Sequence, residues 1–237
     1  MARTVDAAAH AARRDEILDA AQKLVVTRGY ERMSIQDLLG ELGISKGALY
    51  HYYGSKQDLL AGIVDRTADQ VRARLAPIAD DPELSARDRI VRIFHALVEW
   101  KTLHRDELVA LLRVWNSDGN ALMRQRTRGG ITHRLAPLFE RVIEDGVADG
   151  TFTLPTPAGS GHVLLSLVQD LNERLGELFF EYESGDADLN GVEQTVTAYT
   201  SAVERLLGIT AGSVTLIDLP TLYTWFNPHS QEDKRSS

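Results

Sequence analysis

The sequence contains no cysteine. A disulfide framework, a thiolate metal site and a cysteine nucleophile are therefore excluded, in keeping with a reducing compartment. Long apolar runs are missing as well: nothing approaches the roughly 20 residues that span a bilayer. The opening stretch MARTVDAAAHAARRDE has no apolar segment followed by a cleavage site. These absences lead us to expect a cytoplasmic protein with no membrane partner. Catalytic signatures are equally scarce. There is no HExxH and no Glu-x-x-His pair, the GxSxG spacing at residues 43–47 (GISKG) follows a helical segment and not a strand, and the glycine pairs follow no strand. His95, His104, His133 and His162 lack the spacing of metal ligands. We expect no catalytic residue, no metal, no cofactor and no enzymatic activity. Internal repeats are absent too.

A positive net charge is also lacking. The chain has 26 Lys/Arg against 34 Asp/Glu, a formal charge of -8, which argues against indiscriminate coating of nucleic acid. The imbalance is uneven. Residues 1–66 hold nine Lys/Arg and nine Asp/Glu, so the whole deficit lies in residues 67–237. Within the neutral quarter, residues 44–57 carry Lys46, His51 and Lys56 with no acid at all. A basic spot on an acidic protein points to a local anion site.

What the sequence does have is apolar residues at helical spacing, 43% of the chain being hydrophobic, and little strand-like alternation outside SVTLIDL near the C-terminus. We therefore expect an all-α fold of about nine helices. The first should span residues 10–28, with Ile17, Ala21, Leu24 and Val25 on one face and Gly29 as its stop. Ser34 opens a short second helix with the capping-box pattern SIQD, which ends at Gly43; Ser45 caps a third, and Ser55 a fourth that runs to about Asp80. Five more should cover residues 85–103, 105–115, 120–148, 158–183 and 189–207. A bend or break is expected in the seventh, at Gly129, Gly130 and Pro137. The eighth is apolar on more than one face, which suggests burial on two sides. With the ninth it would form half of an intermolecular four-helix bundle, making a homodimer through residues 158–183 and 189–207.

The second and third helices, joined by a tight glycine turn, form a helix-turn-helix whose second member can lie in the DNA major groove. That member starts at Ser45, whose hydroxyl and the adjacent backbone amides suit a phosphate, with Lys46 adding charge. Gly47 and Ala48 allow close approach to base edges. Tyr50 and His51 project from the next turn, Tyr52 can reach a backbone phosphate, and Leu49 and Tyr53 can point inward. Lys56 lies at the positive end of the fourth helix.

The run LGISKGALYHYY followed by SKQDLL, opening a long helix, resembles the DNA-binding half of the TetR/AcrR family of bacterial transcriptional regulators. By that resemblance Ser34, Ser45, Lys46, Tyr50, Tyr52 and Lys56 match DNA-contacting positions, and Leu49 and Tyr53 match core ones. It implies a DNA-binding domain over residues 1–60, and an effector-binding and dimerising domain over residues 61–237. Trp100, Arg113, Trp115, Asn116, Asn172 and Phe179 fall on helices that enclose an effector cavity in this family. The acidic balance of that region favours a cationic or neutral effector over an anionic one. The implied function is a regulator, a repressor released from a palindromic operator by a small molecule. The alternative is a helical carrier or enzyme that retains the N-terminal fold.

Overall fold

The computed structural model describes residues 2–115 and 121–226, with side chains at 8–113 and 128–226. Ten helices form among them: α1 (Ala2–Arg28), α2 (Ile35–Leu42), α3 (Lys46–Tyr52), α4 (Lys56–Ala79), α5 (Ala86–Leu103), α6 (Arg105–Trp115), α7 (Ala121–Ala148), α8 (Ser160–Ser184), α9 (Leu189–Leu207) and α10 (Leu219–Phe226). No strand occurs among the described residues, so the all-α expectation holds. The tenth helix is an addition. Asp218 caps it by accepting from the Thr221 backbone N–H at 2.8 Å, and Leu222 and Phe226 are its buried face. The SVTLIDL alternation forms no strand; it buries Val214 and Leu216 within the loop that leads to α10.

α7 runs unbroken through Gly129, Gly130 and Pro137, so the break that the sequence allowed does not occur. The two glycines cost about 1 kcal/mol each and the proline about 3 kcal/mol against alanine. The same helix buries Leu135, Leu138, Phe139, Val142 and Ile143. At about 1.5–3 kcal/mol for each such side chain, burial outweighs the local penalty.

The helices sort into two compact units. One contains Met1–Ala68 and His104–Gly130, the other Asp69–Leu103 and Ile131–Ser237. The core of the first is drawn from Ile17, Ala21, Leu24 and Val25 of α1, Leu38 of α2, Leu49 of α3, Tyr53, and Leu59, Leu60 and Ile63 of α4. The α1 stripe is the one its spacing predicts. Leu111 of α6 joins the same core, and Gln22 of α1 donates to Glu107 of α6 at 2.6 Å. Arg66 ties α4 to α1 by donating to Asp19 Oδ1 at 2.7 Å and Gln22 Oε1 at 2.8 Å.

In the second unit α8 packs on α9, and α10 packs on α9 and α5. α8 spends most of its apolar surface inside the protomer: Leu164, Leu165, Val168, Leu171, Leu178 and Phe179 are buried. Val163 remains 48% exposed. The start of α8 is capped by another helix. Its N-cap, Gly159, has no side chain to offer. Glu140 of α7 supplies the carboxylate instead, accepting from the Gly159 backbone N–H and, at 2.6 Å, from that of Gly161. This contact requires a glycine, because a Cβ at position 161 would lie 2.4 Å from the Glu140 backbone nitrogen.

Both helix starts can be tested by substitution. Glu140→Ala leaves the first amides of α8 without an acceptor and should destabilise the protein by about 1–2 kcal/mol, read as a shifted urea midpoint. Gly161→Ala should cost at least as much, because backbone must move. At the α2 start, hydrogen bonds from Ser34, then the Arg28 charge, hold the Asp37 carboxyl below its ordinary 3.8. A depressed carboxyl contributes stability above its unfolded value and loses it as pH falls through the folded one. Ser34→Ala should therefore raise the acid-unfolding midpoint, followed by far-UV circular dichroism.

Candidate nucleic-acid interface

The geometry of the helix-turn-helix begins with two caps and one glycine. Ser34 and Asp37 form a reciprocal capping box on α2. The Ser34 hydroxyl accepts from the Asp37 backbone N–H at 3.1 Å and donates to Asp37 Oδ2 at 2.7 Å. Gly43 then turns the chain in the left-handed region at φ 63°, a conformation that costs glycine nothing. The Ile44 N–H closes the turn on the Leu39 carbonyl at 3.3 Å. Ser45 caps α3 by accepting from the Ala48 N–H at 3.2 Å. Its hydroxyl hydrogen is not needed for that contact, so it is available to a phosphate oxygen.

α3 separates cleanly into two faces. Leu49 is completely buried and Tyr53, just past the helix end, is 5% exposed, as their spacing predicts. Ser45, Lys46, Gly47, Ala48, Tyr50 and His51 are exposed. Lys46 Nζ lies 5.6 Å from the Tyr50 ring centroid, and no described carboxylate pairs with it. The exposed face therefore presents one ammonium, one phenol and one imidazole around a small-residue floor.

Tyr52 is partly buried and leans on the first-unit core. Its ring stands 4.7 Å from His10 of α1 and 5.2 Å from His51, and the two imidazoles are 6.0 Å apart. His10 was not singled out by sequence reasoning. The helical spacing starts α1 at His10, whereas the helix begins at Ala2, which holds His10 within it beside Tyr52 and His51.

Lys56 opens α4, where Ser55 accepts from the Asp58 N–H at 3.0 Å. The ammonium is already engaged: it donates to the Glu31 carbonyl at 3.3 Å and sits 4.1 Å from the Tyr30 ring centroid. Arg13 is paired with Glu16, and Arg14 donates to the Tyr53 hydroxyl at 3.4 Å. Arg28 and Lys23 are also taken, by Asp37 at 2.8 Å and Glu41 at 2.6 Å. Arg32 is exposed and donates only to the Arg28 carbonyl at 2.7 Å, so Lys46 and Arg32 are left with no described carboxylate, and of these Lys46 lies on α3.

The residues expected to line an effector site are only partly brought together. Trp100 of α5 and Asn172 of α8 lie in the second unit, half-buried. Phe179 is buried there against Phe180 and Phe226, with centroids 5.5 and 6.0 Å away. Arg113 is exposed on α6, in the first unit. The Trp115 side chain and all of Asn116 lie outside the described residues. One residue was missed. Lys101 donates to Asn172 Oδ1 at 2.5 Å, and desolvation pushes its pKa down from 10.5 to about 8. Its signal was legible, since Lys101 continues the buried stripe of Ile90 and Phe94 at helical spacing. Lys101 itself is half-buried, a charge at the edge of that stripe.

Comparison with known proteins agrees with this geometry. Residues 17–63 match the model for bacterial regulatory proteins of the tetR family, which covers the core of the first unit except Leu111, and both faces of α3. The chain is 30% identical over 131 residues to a nucleoid occlusion factor, SlmA, of Photobacterium profundum, covering 55% of this chain and 62% of that protein. It thus spans less than two thirds of that relative's length. It is 25% identical over 149 residues to the transcriptional repressor KstR2 of Mycolicibacterium smegmatis, covering 60% of this chain and 68% of that one. A solved TetR-family transcriptional regulator from Pectobacterium atrosepticum aligns over 84% of this chain and 96% of its own, at 22% identity and a TM-score of 0.63, which shows a shared fold. With the matched motif, its exposed recognition face and the all-helical architecture together, residues 17–63 carry the helix-turn-helix of the tetR family of bacterial regulatory proteins, in a chain that shares the fold of a solved member of that family.

Proposed function

We propose that this protein is a sequence-specific DNA-binding transcriptional regulator, a repressor that occupies a palindromic operator as a homodimer and leaves it when a small molecule binds the second unit. The observation that carries the reading is the exposed face of α3: an ammonium at Lys46 with no carboxylate partner among the described residues, small residues at Gly47 and Ala48, and Tyr50 and His51 on the next turn, all held by a fully buried Leu49. A surface with those properties suits the major groove, where phosphate contacts position and side chains read base edges.

The roles divide by chemistry. Ser45 and Lys46 take a phosphate, Tyr50 and His51 face bases, and Tyr52 steadies His51 while its hydroxyl addresses the backbone. Ser34 and Lys56 hold the flanks; each keeps an internal partner, so their DNA contacts would share a group already in use. Two such faces in a dimer must sit one helical turn apart, about 34 Å, to read both half-sites. An effector in the second unit would change that spacing, and a coupling of about 1–3 kcal/mol is enough for release.

For the dimer we favour the outer faces of α8 and α9. Leu171 and Leu178 are consumed by the protomer's own core. The outward residues are Val163 and the half-buried Leu167 on α8, with exposed Ala198 and half-buried Ala202 on α9. Small and apolar side chains on paired helices suit a four-helix interface.

Gel-shift with DNA from upstream of the protein's own gene tests the regulator reading; a folded protein that shifts no sequence preferentially would overturn it. Lys46→Ala should weaken binding to all sequences alike and reduce the slope of log K against log salt by about 0.9. His51→Ala or Tyr50→Ala should instead alter which base is preferred, by about 1–3 kcal/mol at one position. For the dimer, Val163→Lys with Ala198→Glu should give a folded monomer in light scattering; a persistent dimer places the interface elsewhere.

A further inference from the structure

The unused feature of the second unit is the Lys101 and Asn172 pair between α5 and α8. Lys101 carries three N–H donors and Asn172 two, while the sole acceptor between them, Asn172 Oδ1, already receives Lys101 at 2.5 Å. Two ammonium hydrogens and two amide hydrogens are left with no described protein acceptor. No carboxylate forms an ion pair with Lys101 among the described residues. A desolvated cation without a counter-charge is costly, and the pair is rich in donors and short of acceptors. Apolar side chains stand beside it, with one buried polar neighbour, Gln169, whose Oε1 accepts from Thr132 at 3.0 Å. The half-buried Leu97 precedes Lys101 by one helical turn on α5, and Val168 and Leu175 flank Asn172 at four and three residues on α8, positions that share a helix face with the polar pair.

We infer that Lys101 and Asn172 form the polar anchor of a binding site for an apolar carboxylate, the ammonium pairing with one oxygen and the asparagine amide donating to the other. The inference rests on the regulator reading only for its consequence, that such an acid is the effector. It reverses the expectation drawn from bulk charge. The acidic excess of residues 67–237 is a sum over the surface, whereas a ligand answers to the groups it touches, and here those groups are donors. The depressed lysine fits the same picture: an ammonium lacking an anion gives up its proton early, and a bound carboxylate would return it.

The test uses the full-length protein and matched probes: benzoate and octanoate against benzamide and octanamide. Near ten times its Kd, at least one carboxylate should raise Tm by about 3 °C or more while its amide does not. Lys101→Met should abolish that rise and melt no lower than the wild type without ligand, because an uncompensated charge has been removed. Equal stabilisation by the amide, a rise retained in Lys101→Met, or no response to either acid would overturn the inference. Should the variant fold poorly, the wild type answers alone. With its lysines labelled by 13C-dimethylation, NMR titration should show the Lys101 resonance titrating near 8 without ligand and above 10 with it; an unmoved titration overturns the site. Gel-shift separates the two readings. Carboxylate binding by a protein that binds no DNA keeps the site and removes its regulatory role, whereas DNA binding with no carboxylate response does the reverse.

Discussion

Burial of Leu49 and Tyr53 against α1 is the contact on which the rest depends. A seven-residue helix cannot persist in water on its own hydrogen bonds, since nucleation is unfavourable and so few residues share its cost. α3 exists because one side of it is locked into a core made by α1, α2 and α4. That lock frees the opposite side from any structural duty. Every residue proposed to touch DNA from α3 can be polar, small or exposed because Leu49 and Tyr53 carry the packing.

The same economy appears in the second unit, where helices complete one another's ends and charges. α8 begins at a glycine that has no cap to give, and Glu140 of α7 provides it. Arg89 of α5 is buried and pairs with Asp145 of α7 at 2.7 Å, and the buried Glu204 of α9 accepts from the Val214 backbone at 3.2 Å. Buried charge in this unit is answered by a neighbour. Lys101 stands apart, meeting a neutral amide, and that contrast gives the Lys101 and Asn172 pair its meaning.

Legibility varied with the range of the interactions involved. Caps at Ser34 and Ser45, the left-handed Gly43 and the inward register of Leu49 are decided within four residues, and they were read correctly. The span of α9 was also read to the residue, from Leu189 to Leu207, because an Asp cap and a glycine stop bracket it. That α7 runs without a break was not legible, because its penalties are local and its gains are tertiary. The tenth helix was not expected, although Asp218 and Pro220 announce its start.

The sequence by itself determined that the chain is helical, where the recognition helix begins and ends, and which of its faces turns inward, since capping, turn conformation and helical period act over a few residues. Only the tertiary structure decided which cations are spent and which remain. Lys56 settles on Tyr30 and Glu31, Arg28 on Asp37, and Lys46 keeps no carboxylate partner among the described residues. It also decided that Lys101 meets an amide 71 residues away in place of an acid. Pairing depends on which side chains packing brings within about 4 Å of one another, and no local pattern in the chain encodes that distance.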